Sequence, residues 1–183
     1  MTANYVKSSL APPIWVLAIA VSAANVGISL LSPAIPQLRD DLMVTSDEAQ
    51  LVLSAFLIML GFGQLIAGSL SDRIGRRPVL VYGSLLFVLS GFGALLANSI
   101  EMLVFMRTLQ GLGAAACMAM GRVIISDSFQ HAEAGRQMST ITMFQSVVPL
   151  LGFSFGGVLA DLVGWRGSVG LMVVTAAIVF VGA

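Results

Sequence analysis

The chain has 183 residues, of which 57% are hydrophobic and only 10% charged, and its net charge is zero. Soluble domains average about 25% charged residues, so a mean hydropathy of +0.96 makes lipid the natural solvent of this chain. The balanced charge, with no basic cluster interleaved with aromatics, excludes a nucleic-acid partner. The single cysteine, Cys117, excludes an internal disulfide, and no Cys/His set has metal-ligand spacing. With no nucleophile–base pair and no phosphate loop in view, neither a metal, another cofactor nor enzyme chemistry is expected. The lone histidine, His131, reads as a solvated loop residue.

A membrane helix needs roughly 20 apolar residues, and the charges punctuate this sequence at about that interval. Six spans are expected, at residues 14–36, 49–71, 78–100, 102–121, 137–160 and 167–183, the last cut by the end of the chain. Their length and continuity suit helices; barrel strands would alternate in segments of about ten residues. A signal peptide would place Lys7 in its basic region and Val21-Ser22-Ala23 at its cleavage site. The first apolar run continues well past Ala23, however, and Pro33 and Pro36 close it. Thr45 and Glu48 have capping-box spacing ahead of the second span. Pro78 falls in the first turn of the third, where its missing N–H costs nothing.

Lysine and arginine in short loops set orientation. With the N-terminus in the cytoplasm, the inner side holds Lys7, Arg73, Arg76, Arg77, Arg122 and Arg136, and the outer side only Arg39 and Arg166. The outer loop between the first two spans is acidic, with Asp40, Asp41, Asp47 and Glu48. The ends of the second and fifth spans also repeat. Gly68-Ser-Leu-Ser-Asp72-Arg-Ile-Gly75-Arg-Arg77 and Gly157-Val-Leu-Ala-Asp161-Leu-Val-Gly164-Trp-Arg166 share the pattern G-x-L-x-D-x-x-G-x-R. An offset of three spans puts the copies on opposite faces of the membrane, the signature of an inverted 3+3 repeat.

Three constellations carry candidate chemistry. Gly68 and Asp72 lie one turn apart on the second span. Gly68 admits a neighbouring helix, Asp72 then needs a cation or a helix N-terminus, and Gly75 permits the reversal that Arg73, Arg76 and Arg77 hold at the inner face. In the fourth span Arg107, Gln110, Gly111 and Ala114 fall at i, i+3, i+4 and i+7, giving one polar, small-residue face. An arginine this deep must turn to the bundle interior or a water-filled cavity, unless it snorkels outward toward Glu101. In the fifth span Pro149 bends the helix, while Gly152 and Gly156, followed by Gly157, make a surface for close packing.

Together these residues resemble the major facilitator superfamily. Gly68 to Leu80 looks like its loop signature between the second and third helices, and Leu103 to Ala115 like its fourth-helix signature, with Arg107 at the signature arginine. Arg122 and Asp127 match the foot of that helix. Pro149 to Gly157 is similar to the antiporter signature, and Pro33-Ala-Ile-Pro36 to the end of the first helix. The nearest subfamily is the bicyclomycin-resistance-type (Bcr/CflA) multidrug:proton antiporters. Two positions depart from the pattern: Ser29 stands where related antiporters often carry an acid, and Phe153 where the antiporter signature has a second proline.

The resemblance implies an all-α integral membrane protein, six helices forming one half of a twelve-helix fold that works by alternating access. It further implies a latch at Asp72, a cytoplasmic charge network at Arg122 and Asp127, and a role for Arg107 in proton-coupled drug movement. Asn25, Ser29, Gln64, Arg107 and Gln110 are the candidate cavity groups. The expected partners are a small-molecule substrate, protons, the lipid bilayer, and a C-terminal half or second copy to complete the path, in the inner membrane with a cytoplasmic N-terminus. Two alternatives are a metabolite or sugar exporter on the same fold, and a non-transporting truncated half that acts through assembly.

Overall fold

A computed structural model describes residues 12–129 and 131–183, with the side chains of all but 131 and 132. Lys7 and the His131 side chain therefore lie outside the described residues. The described residues are helical throughout, without strands: α1 (Ile14–Ser29), a 3-10 turn (Ser32–Ala34), α2 (Ile35–Leu42), α3 (Ser46–Ile74), α4 (Arg76–Leu95), α5 (Ile100–Ser128), α6 (His131–Val163) and α7 (Trp165–Gly182). Taking α1, the 3-10 turn and α2 as one unit, six helical segments are long and apolar enough to cross a membrane. The protein is a multi-pass integral membrane protein.

Local chemistry explains the breaks. Pro33 has no N–H to offer the Ser29 carbonyl, so α1 ends at Ser29. The span does not close there, as the prolines alone suggested. Both prolines sit in the opening turns of the elements that follow, where no N–H is needed, and the chain stays helical to Leu42. Met43, at φ 52°, then reverses it. The Thr45 hydroxyl accepts from the Glu48 N–H at 3.3 Å and the Glu48 carboxylate accepts from the Thr45 N–H at 2.8 Å, a complete capping box at the head of α3. α5 starts with Ser99 accepting from the Met102 N–H.

Three helices outrun their apolar cores. α3 and α5 have 29 residues each and α6 has 33. At about 1.5 Å per residue each exceeds the roughly 30 Å of bilayer hydrocarbon. The polar stretch expected as a loop between the fourth and fifth spans is mostly helix, because α5 continues to Ser128 and α6 begins at His131.

The packing obeys the internal repeat. With α1–α4 as one triplet of spans and α5–α7 as the other, α5 packs on α3 and α4 as α1 packs on α6 and α7, and the pairs α1·α5 and α4·α7 map onto themselves. The hairpins α3–α4 and α6–α7 turn at Gly75 (φ 93°) and Gly164 (φ 79°), a region that glycine enters without penalty. α5 is the hub, and it offers one glycine each to α3, α4 and α1. A methyl group on Gly111 would strike the Phe56 carbonyl of α3, one on Gly113 the backbone of Gly83 and Phe87 in α4, and one on Gly121 Val21 of α1. Burial is uneven as a result. In their most apolar stretches α5 and the first span are 61% buried, whereas α3 and α6 are 22% and 17% buried.

Candidate functional site

Arg107 ties four spans together at the centre of the bundle. It is fully buried. Its Nη2 donates to the Gly27 carbonyl of α1 at 2.8 Å, and its Nη1 to Gln110 Oε1 at 2.7 Å and to the Met172 sulfur of α7 at 3.4 Å. Its guanidinium carbon lies 4.3 Å from the centre of the Phe56 ring of α3. The break after Ser29 makes this possible. Gly27 lies in the last turn of α1, where carbonyls lack intrahelical donors, and the negative end of the helix dipole favours a cation. The Phe56 face adds quadrupole attraction, and a methyl group on Gly27 would collide with that ring.

All nine Asp and Glu residues are exposed, so no carboxylate neutralises the buried cation: a helix end, an amide, a thioether and a ring hold it instead. Arg107 Nε and Gln110 Nε2 have no partner among the described residues. Of the two placements expected for Arg107, the bundle interior is the one found. In this conformation Arg107 and Gln110 point into the bundle, do not line an open face, and do not reach toward Glu101.

A second polar cluster joins α1, α5 and α6. Pro149 cannot donate to the carbonyl four residues earlier, that of Gln145. Asn25 Nδ2 of α1 donates to that carbonyl at 3.3 Å. Gln145 Nε2 returns a bond to the Val21 carbonyl at 3.0 Å, and Arg122 Nη2 donates to Gln145 Oε1 at 3.4 Å. Beyond the proline, Gly152 faces Ser29 and Gly156 faces the Leu30 backbone, so the Gly-x-x-x-Gly surface is where α6 closes on α1; Gly157 is less tightly met. Ser29 is buried, its hydroxyl turned back to the Asn25 carbonyl at 2.7 Å. Gln64 makes only a long contact, 3.9 Å, to the Met118 sulfur.

At the end of α3, Arg76 holds two acids. Its Nη1 is 3.0 Å from Asp72 Oδ1, its Nε 3.5 Å from Asp127 Oδ2, and Nη1 also donates to the Ser71 carbonyl. Asp127 is thus bridged to Arg76 and not grouped with Arg122, which the Gln145 cluster occupies. Asp72 keeps 71% of its side-chain surface exposed, Arg73 is exposed, and a methyl group on Gly68 would meet nothing within 4 Å. The neighbour that Gly68 would admit is not among these helices. At the opposite end, Asp161 accepts from Gln37 Nε2 at 3.3 Å.

Sequence reasoning missed Phe56, Met172 and Gln145. Phe56 and Met172 carry no polar signal in an apolar span. Gln145 did: it is an amide in the middle of the charge-free fifth span, four residues before Pro149.

A bundle of six spans, built as two inverted triplets around a buried arginine, is an arrangement found within the six-span halves of transporters. The chain belongs to the Major Facilitator Superfamily, whose pattern it matches over residues 17–183. It is similar to the chloramphenicol resistance protein of Pseudomonas aeruginosa, at 34% identity over 87% of this chain and 38% of that protein. It is 31% identical to multidrug resistance protein D of Escherichia coli over 82% of the chain and 38% of the relative. It is 32% identical to the multidrug transporter MdfA of Yersinia pestis over 87% and 39% respectively. The chain spans less than two fifths of the length of these curated relatives. Their names describe transporters and resistance proteins, not enzymes.

Proposed function

We propose that this chain is the N-terminal half of a secondary transporter that exports drugs or other lipophilic small molecules by alternating access, driven by protons. The observation that carries the reading is the open surface of α3 and α6. Residues 49–71 and 137–160 hold no charged side chain, yet expose Phe62, Leu65, Phe144, Leu150 and Phe155. Gly61, Leu65, Gly68 and Asp72 form one stripe along α3, and the repeat places Leu150, Ser154, Gly157 and Asp161 along α6. Part of this surface faces lipid. The stripe ending in Asp72 suits a second six-helix half, and an apolar, aromatic wall between halves suits a lipophilic substrate better than a sugar, which needs many hydrogen-bond partners.

In this reading the conformational change is a rocking of one half on the other. Asp72, with Arg73, Gly75, Arg76 and Arg77 around it, meets the second half on the cytoplasmic side. The Asn25–Gln145–Pro149 cluster and the glycines beyond it let α6 adjust against α1. Arg107 stays a fixed cation whose field biases the protonation of an acid outside this chain, because every carboxylate here is exposed. The Arg and Lys asymmetry supports a cytoplasmic N-terminus, in the inner membrane.

The test is efflux from cells lacking their own pumps, carrying the full-length gene, with chloramphenicol and lipophilic dyes screened against sugars and other metabolites. Drug efflux that collapses with a protonophore supports the proposal. Sugar or metabolite efflux would install the alternative exporter. Drug efflux indifferent to the proton gradient would remove the coupling, and no efflux at all from inserted protein would leave a half that acts only through assembly.

A further inference from the structure

We propose that the groove between α1, α6 and α7 is a binding site, open sideways to the bilayer, for a lipophilic small molecule that carries a hydrogen-bonding group on a rigid apolar body. The groove holds about 500 Å³ and runs along α1 from Ile14 and Trp15 to Val26, with Phe144 and Val148 of α6 and Ile178 of α7 in its walls. A smaller cavity of about 250 Å³ shares Val26, Val148 and Thr175 with it and carries it on to Phe155 and Leu171. No charged side chain lines either one, and no residue of α3, the helix proposed to meet the second half, takes part. The site is made by this chain alone and holds whether or not the whole protein transports.

Helix packing explains the groove. Beyond Pro149, Gly152 and Gly156 bring α6 onto Ser29 and Leu30 of α1. Ahead of the proline the Asn25–Gln145 bond ties the two helices, and α6 carries Ile141, Phe144 and Val148 on the wall, where bulk rather than glycine holds it off α1. α7 stands apart from α6 at this end because the two join at the other, at Gly164. In the inverted counterpart α5 meets α3 and α4 through Gly111 and Gly113, each against backbone. The repeat gives both triplets the same plan, so it does not itself require the groove.

Ser22 makes this more than a crevice for lipid. Four polar residues line the larger cavity: Ser22, Gln137, Thr140 and Thr175. Thr140 and Thr175 turn their hydroxyls back to the Arg136 and Leu171 carbonyls of their own helices, at 3.1 and 2.9 Å, and Gln137 Nε2 donates to Glu133 at 2.9 Å. Bonding back to the preceding turn is how a hydroxyl within a helix satisfies itself. Ser22 does not do so: it is 5% exposed and has no hydrogen bond among the described residues. Its oxygen is not one of the sealed unpaired polar atoms, as Ser168 Oγ is, so the surface it keeps opens on the groove. An unpaired hydroxyl in apolar surroundings is destabilising, and a ligand that brings an acceptor or a donor satisfies it. The rest of the wall suits an apolar body. Trp15 and Phe144 offer ring faces, and a cavity of this size with few polar groups is of the kind that takes one small molecule. An acyl chain would fill the volume and leave Ser22 unpaired.

The test is tryptophan fluorescence of the full-length protein in phospholipid bilayers, with Trp15 as the reporter; its share of the emission is what Trp15→Phe removes. Two lipophilic quenchers of similar shape are compared: 4-bromobenzophenone, which has a carbonyl acceptor, and 4-bromobiphenyl, which has none. The ketone should quench Trp15 saturably. Ser22→Ala should weaken its binding about two- to tenfold, the worth of one hydrogen bond, and leave the biphenyl unchanged. Ala18→Phe, which puts a ring into the groove, should abolish the saturable part for both. Quenching that only rises in proportion to the ketone dissolved in the membrane would overturn the site. So would equal ketone binding by Ser22→Ala and wild type, the mark of a groove that takes any apolar chain, or saturable quenching untouched by Ala18→Phe, which would place the ligand elsewhere.

Discussion

Replacing Arg107 with alanine should act in opposite directions on insertion and on packing. An arginine at a helix centre costs the translocon about 2.5–3.5 kcal/mol, so Arg107→Ala should insert its span at least as well as wild type. The assembled bundle should suffer. The separated helices also hold the cation in lipid, so what the fold contributes is its solvation, by the Gly27 carbonyl at 2.8 Å, Gln110 Oε1 at 2.7 Å and the Phe56 ring at 4.3 Å. Removing the side chain leaves two buried acceptors without donors, at about 1–3 kcal/mol each. It also leaves a void against Phe56 and Met172. We expect a net loss of about 2–5 kcal/mol, read by denaturant titration of the full-length protein in mixed micelles, together with loss of transport in proteoliposomes. Phe56→Leu, which removes the ring and keeps the cation, should cost about 0.5–2 kcal/mol. Wild-type stability in Arg107→Ala would refute the four-span contact as an energetic feature, and normal transport would refute its place in the mechanism.

Other outcomes follow from the same geometry. Asp72→Asn should slow turnover in a transport assay while leaving stability within about 1 kcal/mol, because its pair with Arg76 is exposed; unchanged kinetics would return Asp72 to a plain hairpin role. Asn25→Leu should strip the side-chain donor from the carbonyl that Pro149 frees and lower stability by about 1–3 kcal/mol, and in a Pro149→Ala background, where the backbone N–H is restored, the loss should shrink. Gly156→Val should drive α6 off α1, since even a Cβ would lie 2.5 Å from the Leu30 carbonyl; disulfide trapping between the two helices should report the separation, and wild-type trapping efficiency would contradict the close approach.

The sequence by itself determined the membrane class, the six spans and the inverted repeat, because each rests on a one-dimensional quantity: runs of apolar residues against bilayer thickness, and a pattern recurring at a constant interval. It also marked the capping box at Thr45 and Glu48, the deep arginine and the proline inside the fifth span, whose signals lie within a few residues of one another. Helix ends were less legible. Charge marks where a helix leaves hydrocarbon, not where it stops, so α5 and α6 run on into the expected loop between them.

Only the tertiary structure decided partners. Nothing local says that Arg107 turns to the end of α1 rather than to a cavity, that Arg76 takes Asp127 while Arg122 takes Gln145, or that Asn25 answers the carbonyl orphaned by Pro149. Nor does the second copy of the repeat announce that its arginine, Arg166, donates to the Leu95 and Ala97 carbonyls at the end of the third span. These contacts join residues 23 to 120 positions apart, and they exist because folding brings helix ends with unsatisfied carbonyls beside donors that lipid cannot serve.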